Sequence, residues 1–242
     1  MEIPYWMSRT QLMLGEEDVR KLINSNVLVV GLGGVGGICA EMIARTGVGR
    51  MTIIDGDVVE ASNRNRQIIT LASVDGQKKT EVMRQRLLDI NPEIQLQVIG
   101  EFFGEKEFIE LFHANQYDFV VDCIDTLTSK VALIHYCYNH KLKFISSMGA
   151  GGRLDPSQVQ VADISKTFNC KLAYKVRKRL HQKGVYRGIK AVFSTEQPDY
   201  NRVREVASGP KKSVIGTISY LPAIFGCVLA SEVIKGLLGI KK

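Results

Sequence analysis

Short apolar runs alternate along the chain with longer amphipathic stretches. Val27–Val30, Met51–Ile54, Leu96–Ile99, Asp118–Val121, Lys143–Ser146 and Ala191–Ser194 read as strands, the first of them apolar throughout and so buried on both faces. Between them, Ile38–Thr46, Lys78–Ile90, Glu105–Phe112 and Leu127–His140 carry helical patterns. Gly47 closes the first of these helices, and Asn91-Pro92 stops the second. Residues 8–26 form an amphipathic lead-in helix, broken at Gly15, with Leu22 and Ile23 toward the core. Buried strands alternating with helices predict an α/β fold, a doubly wound and mainly parallel sheet with right-handed crossovers.

The pattern changes after Gly149. Val159–Asp163 alternates like an edge strand, Lys166–Leu180 reads as a basic helix, and residues 197–212 read as a polar, mobile loop. The apolar stretch 214–240 is interrupted by Pro222, Glu232 and Lys235. An uninterrupted membrane span needs about 20 apolar residues, so a buried helix over Ala223–Leu238 is expected instead. No repeat or low-complexity linker divides the chain. One domain over 1–242 is expected: a Rossmann-like, nucleotide-binding core at 27–150, and a half at 151–242 that adds edge strands and helices and faces the substrate.

Composition narrows the class only a little. The 242 residues are 45% hydrophobic, enough for a sizeable core, and carry a net charge of +7, which weakly favours a polyanionic partner. The five cysteines make no C-x-x-C pair, so reduced, mostly buried thiols are expected and no structural zinc. The first residues lack the basic start and apolar core of a secretory leader, which points to a cytoplasmic protein.

The chemistry centres on residues 27–37. A buried strand runs into Gly31, Gly33, Gly34 and Gly36, and then into a helix. Glycine lets backbone approach a phosphate, and the helix N-terminus turns free N–H groups toward the anion. The next strand ends at Asp55, placed for a ribose hydroxyl. That much leaves NAD and ATP both open. Asp55, Asp122 and Asp125 all fall at carboxyl ends of strands and are expected to converge on one crevice. Arg64, Arg66, Lys78 and Lys79 follow soon after Asp55. A dinucleotide does not need so many cations, whereas a triphosphate does, with Asp125 able to hold Mg²⁺ on its phosphates.

Several motifs occur together in a fixed order. They are Arg9-Thr10-Gln11-Leu12-Met13-Leu14-Gly15, Gly31-Leu32-Gly33-Gly34-Val35-Gly36, Asp55-Gly56-Asp57, Asn63-Arg64-Asn65-Arg66-Gln67, Lys79, and Asp122-Cys123-Ile124-Asp125. In this order they resemble the ubiquitin-activating-enzyme-like superfamily, which includes the sulfur-carrier adenylyltransferases of thiamine and molybdopterin synthesis. The resemblance covers nearly the whole chain. It implies that Asp55 binds the ATP ribose, that Asn63, Arg66 and Lys79 contact the phosphates, and that Asp125 positions Mg²⁺ and the attacked phosphate. It implies that Arg9 reaches into the neighbour's site in a homodimer. Asp57, Gln67 and Asp122 belong to the same expected cofactor-binding set.

Within that superfamily, four stretches resemble the tRNA threonylcarbamoyladenosine dehydratase family: Asn65-Arg66-Gln67, Gly149-Ala150-Gly151-Gly152-Arg153-Leu154-Asp155-Pro156, Val192-Phe193-Ser194-Thr195-Glu196-Gln197-Pro198 and Gly209-Pro210-Lys211-Lys212. This resemblance implies ATP-dependent cyclisation of threonylcarbamoyl-adenosine beside the tRNA anticodon. A monovalent cation and a sulfur-transfer protein are further partners left open. Some members carry a cysteine shortly after Gly-Pro-Lys, where this chain reads Ser213-Val214-Ile215-Gly216-Thr217. No cysteine is therefore assigned a catalytic role.

Between Lys166 and Lys190 lie nine Lys or Arg and no Asp or Glu. Without acids this run cannot pair with itself along a helix. Lys171, Lys175, Arg177, Lys178 and Arg179 are the expected tRNA contacts, with Tyr174 and Tyr186 interleaved. The four histidines, His113, His135, His140 and His181, have no metal-ligand spacing.

Overall fold

The computed structural model describes residues 2–199, 201, 203–205 and 213–240. The sheet contains β1 (Asn26–Val30), β2 (Arg50–Ile54), β3 (Gln95–Ile99), β4 (Phe119–Asp122), β5 (Phe144–Ser147), β6 (Val159–Asp163) and β7 (Lys190–Ser194). Their order is β3-β2-β1-β4-β5-β7-β6, and all neighbours are parallel except β6, which runs antiparallel along β7 at the edge. Val30 is in register with Ile54 on one side and Asp122 on the other, and Asp122 with Ser146. The carboxyl ends of four strands therefore share one rim. The strand order reverses between β1 and β4, which opens a crevice there.

Helices α3 (Gly36–Arg45), α4 (Lys79–Ile90) and α8 (Tyr220–Leu238) contribute to the cluster that includes Val27, Val29, Ile43, Met83 and Phe225. On the other face α5 (Glu105–Ala114) and α6 (Leu127–Asn139) bury Phe108 and Leu133 against Leu28, Val30 and Val120. This two-sided cover is why the central strands are apolar over Val27–Val30 and Phe119–Val121. Fully burying each such Leu or Phe stabilises by about 1.5–3 kcal/mol before entropy is counted. Although α8 is long and apolar enough to cross a membrane, Leu221, Phe225, Leu229 and Val233 are buried in the main core.

The lead-in segment breaks at Gly15 as expected, into α1 (Ser8–Leu14) and α2 (Glu16–Asn24), with Gly15 at a positive φ of 83°. Three expectations are corrected. The basic helix α7 spans Lys171–Gln182 rather than starting at Lys166. Asn169 takes φ 52°, and the Cys170 Sγ accepts the Ala173 N–H, which sets the start of the helix. The last helix begins at Tyr220, since Pro222 sits in its first turn, where no backbone N–H is needed. The segment 197–212 is not all loop: β8 (Val203–Glu205) pairs antiparallel with β9 (Ser213–Ile215). The Gly209-Pro210-Lys211-Lys212 motif lies outside the described residues.

Candidate functional site

The glycine turn is packed on three sides. Gly31 has φ 92° and donates its N–H to Ile54 O at 2.7 Å, and a Cβ there would lie 2.7 Å from Cys123 O. A Cβ on Gly36 would lie 1.7 Å from Gly31 O. One on Gly34 would meet Arg66 O at 2.9 Å and the Pro222 Cβ at 3.0 Å. Only Gly33 is roomy, its nearest neighbour being the Gln67 Nε2 at 3.9 Å. Gly31, Gly34 and Gly36 are thus required by packing, while Gly33 leaves space for a ligand.

Asp55 stands beside this turn. Its Oδ2 accepts the Leu32 N–H at 2.6 Å and its Oδ1 accepts the Asp57 N–H at 2.8 Å. Burial pushes its carboxyl above the usual aspartate value, and the Lys79 charge and the two amides only partly offset this. Lys79, at the start of α4, is itself buried, and its Nζ lies 2.8 Å from the Asp57 Oδ2. The carboxylates and the lysine therefore form a compact, oppositely charged pair of walls.

The segment after Asp57 folds back over the turn. Asn63 is buried in the short 3₁₀ turn Ala61–Asn63, and its carbonyl accepts the N–H groups of Arg66 and Gln67. The Arg66 guanidinium donates to Ser62 O and to the Asn65 Oδ1, both at 2.9 Å. Asn65 in turn donates to Thr217 O at 2.9 Å, tying this segment to the end of β9. Gln67 is buried with its Oε1 unpartnered, close to Gly33. Arg64 is drawn outward to Asp75.

Two expected site residues, Asp122 of the crevice and Arg177 of the tRNA contacts, are instead taken up by internal partners. Asp122 is fully buried; its carboxylate accepts from Lys130 Nζ and Ser146 Oγ, both at 2.6 Å, and from the Ile124 N–H at 3.0 Å. Its role is inside, holding the turn that presents exposed Asp125. Arg177 is half-buried and spent on the oxygens of Ile164 and Thr167. By contrast Lys171, Lys175, Lys178 and Arg179 are exposed on α7, because Ala173, Val176 and Leu180 supply its buried face.

Arg9 is also exposed, on a helix none of whose residues is buried. The adjoining Met7 packs against Gly47, beyond the far end of α3 from the glycine turn. A ten-residue helix is about 15 Å long, so the segment leading into α1 meets α3 at the end remote from the glycine turn.

One residue that sequence reasoning missed is Phe102. It is 75% exposed, yet its ring covers Gly56, where a Cβ would approach to 2.6 Å. The exposed ring stands over Gly56, the residue after half-buried Asp55, where a bound base could stack on it. Its signal in the sequence was a Phe-Phe pair just past a strand end.

Among the described residues no group of three or more His, Cys, Asp or Glu could hold a metal ion. An accessible carboxylate such as Asp125 suits Mg²⁺, which commonly takes one or two carboxylates together with substrate phosphates. The five cysteines are free thiols, and only Cys227 is exposed.

Known proteins share this fold. The ThiF family model matches residues 7–242. The chain is 35% identical to the tRNA threonylcarbamoyladenosine dehydratase of Bacillus subtilis, over 96% of this chain and 94% of the relative. It is 37% identical to the Escherichia coli dehydratase, over 95% and 93%. The crystal structure of that E. coli enzyme, TcdA, in complex with ATP superposes with a TM-score of 0.88 and 35% identity, covering 99% of this chain and 98% of that one. Its complex with AMP superposes with a TM-score of 0.87.

Proposed function

Since the chain belongs to the ThiF family, we propose that it is an ATP-dependent tRNA threonylcarbamoyladenosine dehydratase. The observation that carries this reading is the end-to-end match to the dehydratases, joined to a glycine turn, a ribose-ready Asp55 and two buried polar arms at one switch point.

The substrate carboxylate attacks the α-phosphorus of ATP, and pyrophosphate leaves. The resulting acyl-adenylate has an electrophilic carboxyl carbon. A nitrogen or oxygen of the same modified base closes on it and releases AMP, so the net change is loss of water. The second step is intramolecular and gains chiefly from proximity. In the first step, charge develops on phosphate oxygens, and cations aimed at it accelerate the reaction.

The roles follow from chemistry and position. Asp55 accepts the ribose hydroxyls, and Phe102 offers its exposed face to the adenine. The backbone around Gly33 faces phosphate. Lys79 exchanges its Asp57 partner for phosphate oxygen, and Arg66 and Asn63 complete that wall. Asp125 holds Mg²⁺, which when bound supplies charge neutralisation on the phosphates. Lys171, Lys175, Lys178 and Arg179 contact tRNA.

We also infer a homodimer in which Arg9 serves the neighbouring site. What supports it is α1, which leaves Leu12 and Met13 more than 80% exposed. The chain acts as one unit in the cytoplasm, 27–150 supplying the nucleotide site and 151–242 facing the RNA. A sulfur-transfer protein is a further candidate partner.

The test is exchange of labelled pyrophosphate into ATP. Exchange that requires tRNA bearing threonylcarbamoyladenosine, with loss of one water from that base by mass spectrometry, supports the reading. Exchange that instead requires a ubiquitin-like sulfur carrier overturns it.

A further inference from the structure

The basic helix does not simply present charge to solvent. Lys175, Lys178, Arg179 and Gln182 line one wall of an open cavity of about 440 Å³, with Leu127 opposite, in the first turn of α6. A second cavity of about 330 Å³ shares Leu127, Arg179 and Gln182 with the first. The two are therefore one trench between α6 and α7. The second part adds the apolar surfaces of Val131 and Ala132, with Thr128, Glu105 and Lys183 also lining it.

The trench is chemically graded. Lys175 and Lys178 line only the first part, Arg179 and Leu127 line both, and the second part has Val131 and Ala132 as its floor with Glu105 and Lys183 beside them. A phosphodiester suits the first and a base the second. Spacing explains the cationic wall: positions 175, 178, 179 and 182 stand at i, i+3, i+4 and i+7 and share a face of α7. Its opposite face is closed by Ala173, Val176 and Leu180. The trench also has a direction, because Leu127 comes two residues after Asp125, where α6 leaves the rim of the sheet.

We propose that this trench is a nucleotide subsite, which takes the phosphate and base of the residue flanking the modified adenosine. The inference rests on the tRNA reading above and deepens it. An unstacked loop nucleotide is the form of RNA that such a cleft can hold, since bases in a duplex are covered by their neighbours. Glu105 and Lys183 offset each other at the second end, so the positive charge is concentrated at Lys175, Lys178 and Arg179, which sets the polarity: phosphate there, base toward Leu127 and the Val131–Ala132 floor.

The probe is an anticodon stem-loop RNA that carries threonylcarbamoyladenosine, with 4-thiouridine as the flanking nucleotide. Photocrosslinks in the peptides containing Leu127–Ala132 or Arg179–Lys183 are expected. The triple variant Lys175→Ala, Lys178→Ala, Arg179→Ala should raise the Kd for this RNA at least tenfold. Its log Kd against log salt should flatten by about 0.7 for each phosphate that the variant no longer neutralises. Crosslinks confined to other peptides, or a Kd within twofold of wild type, would overturn the trench while leaving the dehydratase reading intact. Failure of the unaltered protein to dehydrate modified tRNA strikes that reading instead, and the crosslink map still decides whether RNA enters the trench.

Discussion

Lys130 Nζ lies 2.6 Å from the Asp122 Oδ2, and both side chains are almost completely enclosed. The same carboxylate accepts from Ser146 and from the Ile124 N–H. One buried ion pair thus joins α6, two strand ends and the turn that carries Asp125. Removing one partner of such a pair leaves a charge stranded in the interior, at a cost of about 3–5 kcal/mol. Lys130→Met should lower unfolding free energy by that amount in denaturant titrations. Adding Asp122→Leu to it should recover part of the loss. A single variant as stable as wild type would mean the pair holds nothing.

Lys79 and Arg66 are expected to act on charge that builds up only as pyrophosphate departs. Removing one well-aimed interaction of this kind typically costs about 3–4 kcal/mol, roughly 100- to 1,000-fold in rate. Lys79→Ala and Arg66→Ala should each show that drop in pyrophosphate exchange at saturating ATP. Lys79→Ala also leaves Asp57 without its cation, so its melting temperature should be measured alongside. Exchange at the wild-type rate in both variants removes their assigned role.

Asp55 makes binding sensitive to pH. Burial raises its carboxyl above the ordinary value, and the nearby Lys79 only partly counters this. The ionised form is the one that accepts two ribose hydroxyls. ATP affinity should therefore be full above the raised value and decline as pH falls through it, earlier than for a solvent-exposed aspartate. Calorimetry across the mildly acidic range should show this decline, and Asp55→Asn should flatten it while weakening ATP at neutral pH. A wild-type affinity that is level across the range argues against the ribose contact.

Gly36 is closed to any side chain, since a Cβ would lie 1.7 Å from Gly31 O. Gly36→Ala must push α3 away from the turn, and overpacking of this kind costs about 1–3 kcal/mol. ATP binding should fall at least tenfold as the N–H groups lose their aim. Gly33→Ala meets no such wall, so it should keep its stability and lose only ATP affinity. Equal stability losses in the two variants would show that this division of the turn is mistaken.

Phe102 should weaken ATP and AMP alike when truncated. Base–aromatic stacking is worth about 1–3 kcal/mol by alanine substitution. Phe102→Ala should lower both affinities by that amount, while Phe102→Tyr should retain them. Unchanged nucleotide binding in the alanine variant would assign the ring elsewhere, to a surface between molecules.

Much of the architecture was legible in the pattern of residues. The first β-α-β unit, the sheet class and the edge strand at Val159–Asp163 all emerged from periodicity and from glycine placement, while the antiparallel direction of that strand did not. The corrections fall where direction or a distant partner decides. Asp122 and Asp55 look alike in the chain, each an acid at the end of an apolar run. Only Lys130, embedded beside the apolar stretch Val131–Ile134, marked Asp122 as the member of an internal pair. Arg177 shares a basic run with Lys175 and Lys178, yet helical phase turns it toward the carbonyls of Ile164 and Thr167. Phe102 carried almost no local signal, because its meaning lies in the backbone of Gly56 beneath it.

By itself the sequence determined which residue types gather at the strand ends, because local periodicity and glycine conformations are properties of short stretches. It also determined that a glycine turn and a helix N-terminus follow the first strand. Only the tertiary structure decided which acids face the crevice, which cations remain exposed on α7, and that α6 and α7 leave a trench between them. Those outcomes depend on burial and on partners far apart in the chain, where desolvation makes an inward charge find its counter-ion and leaves the outward ones for a ligand.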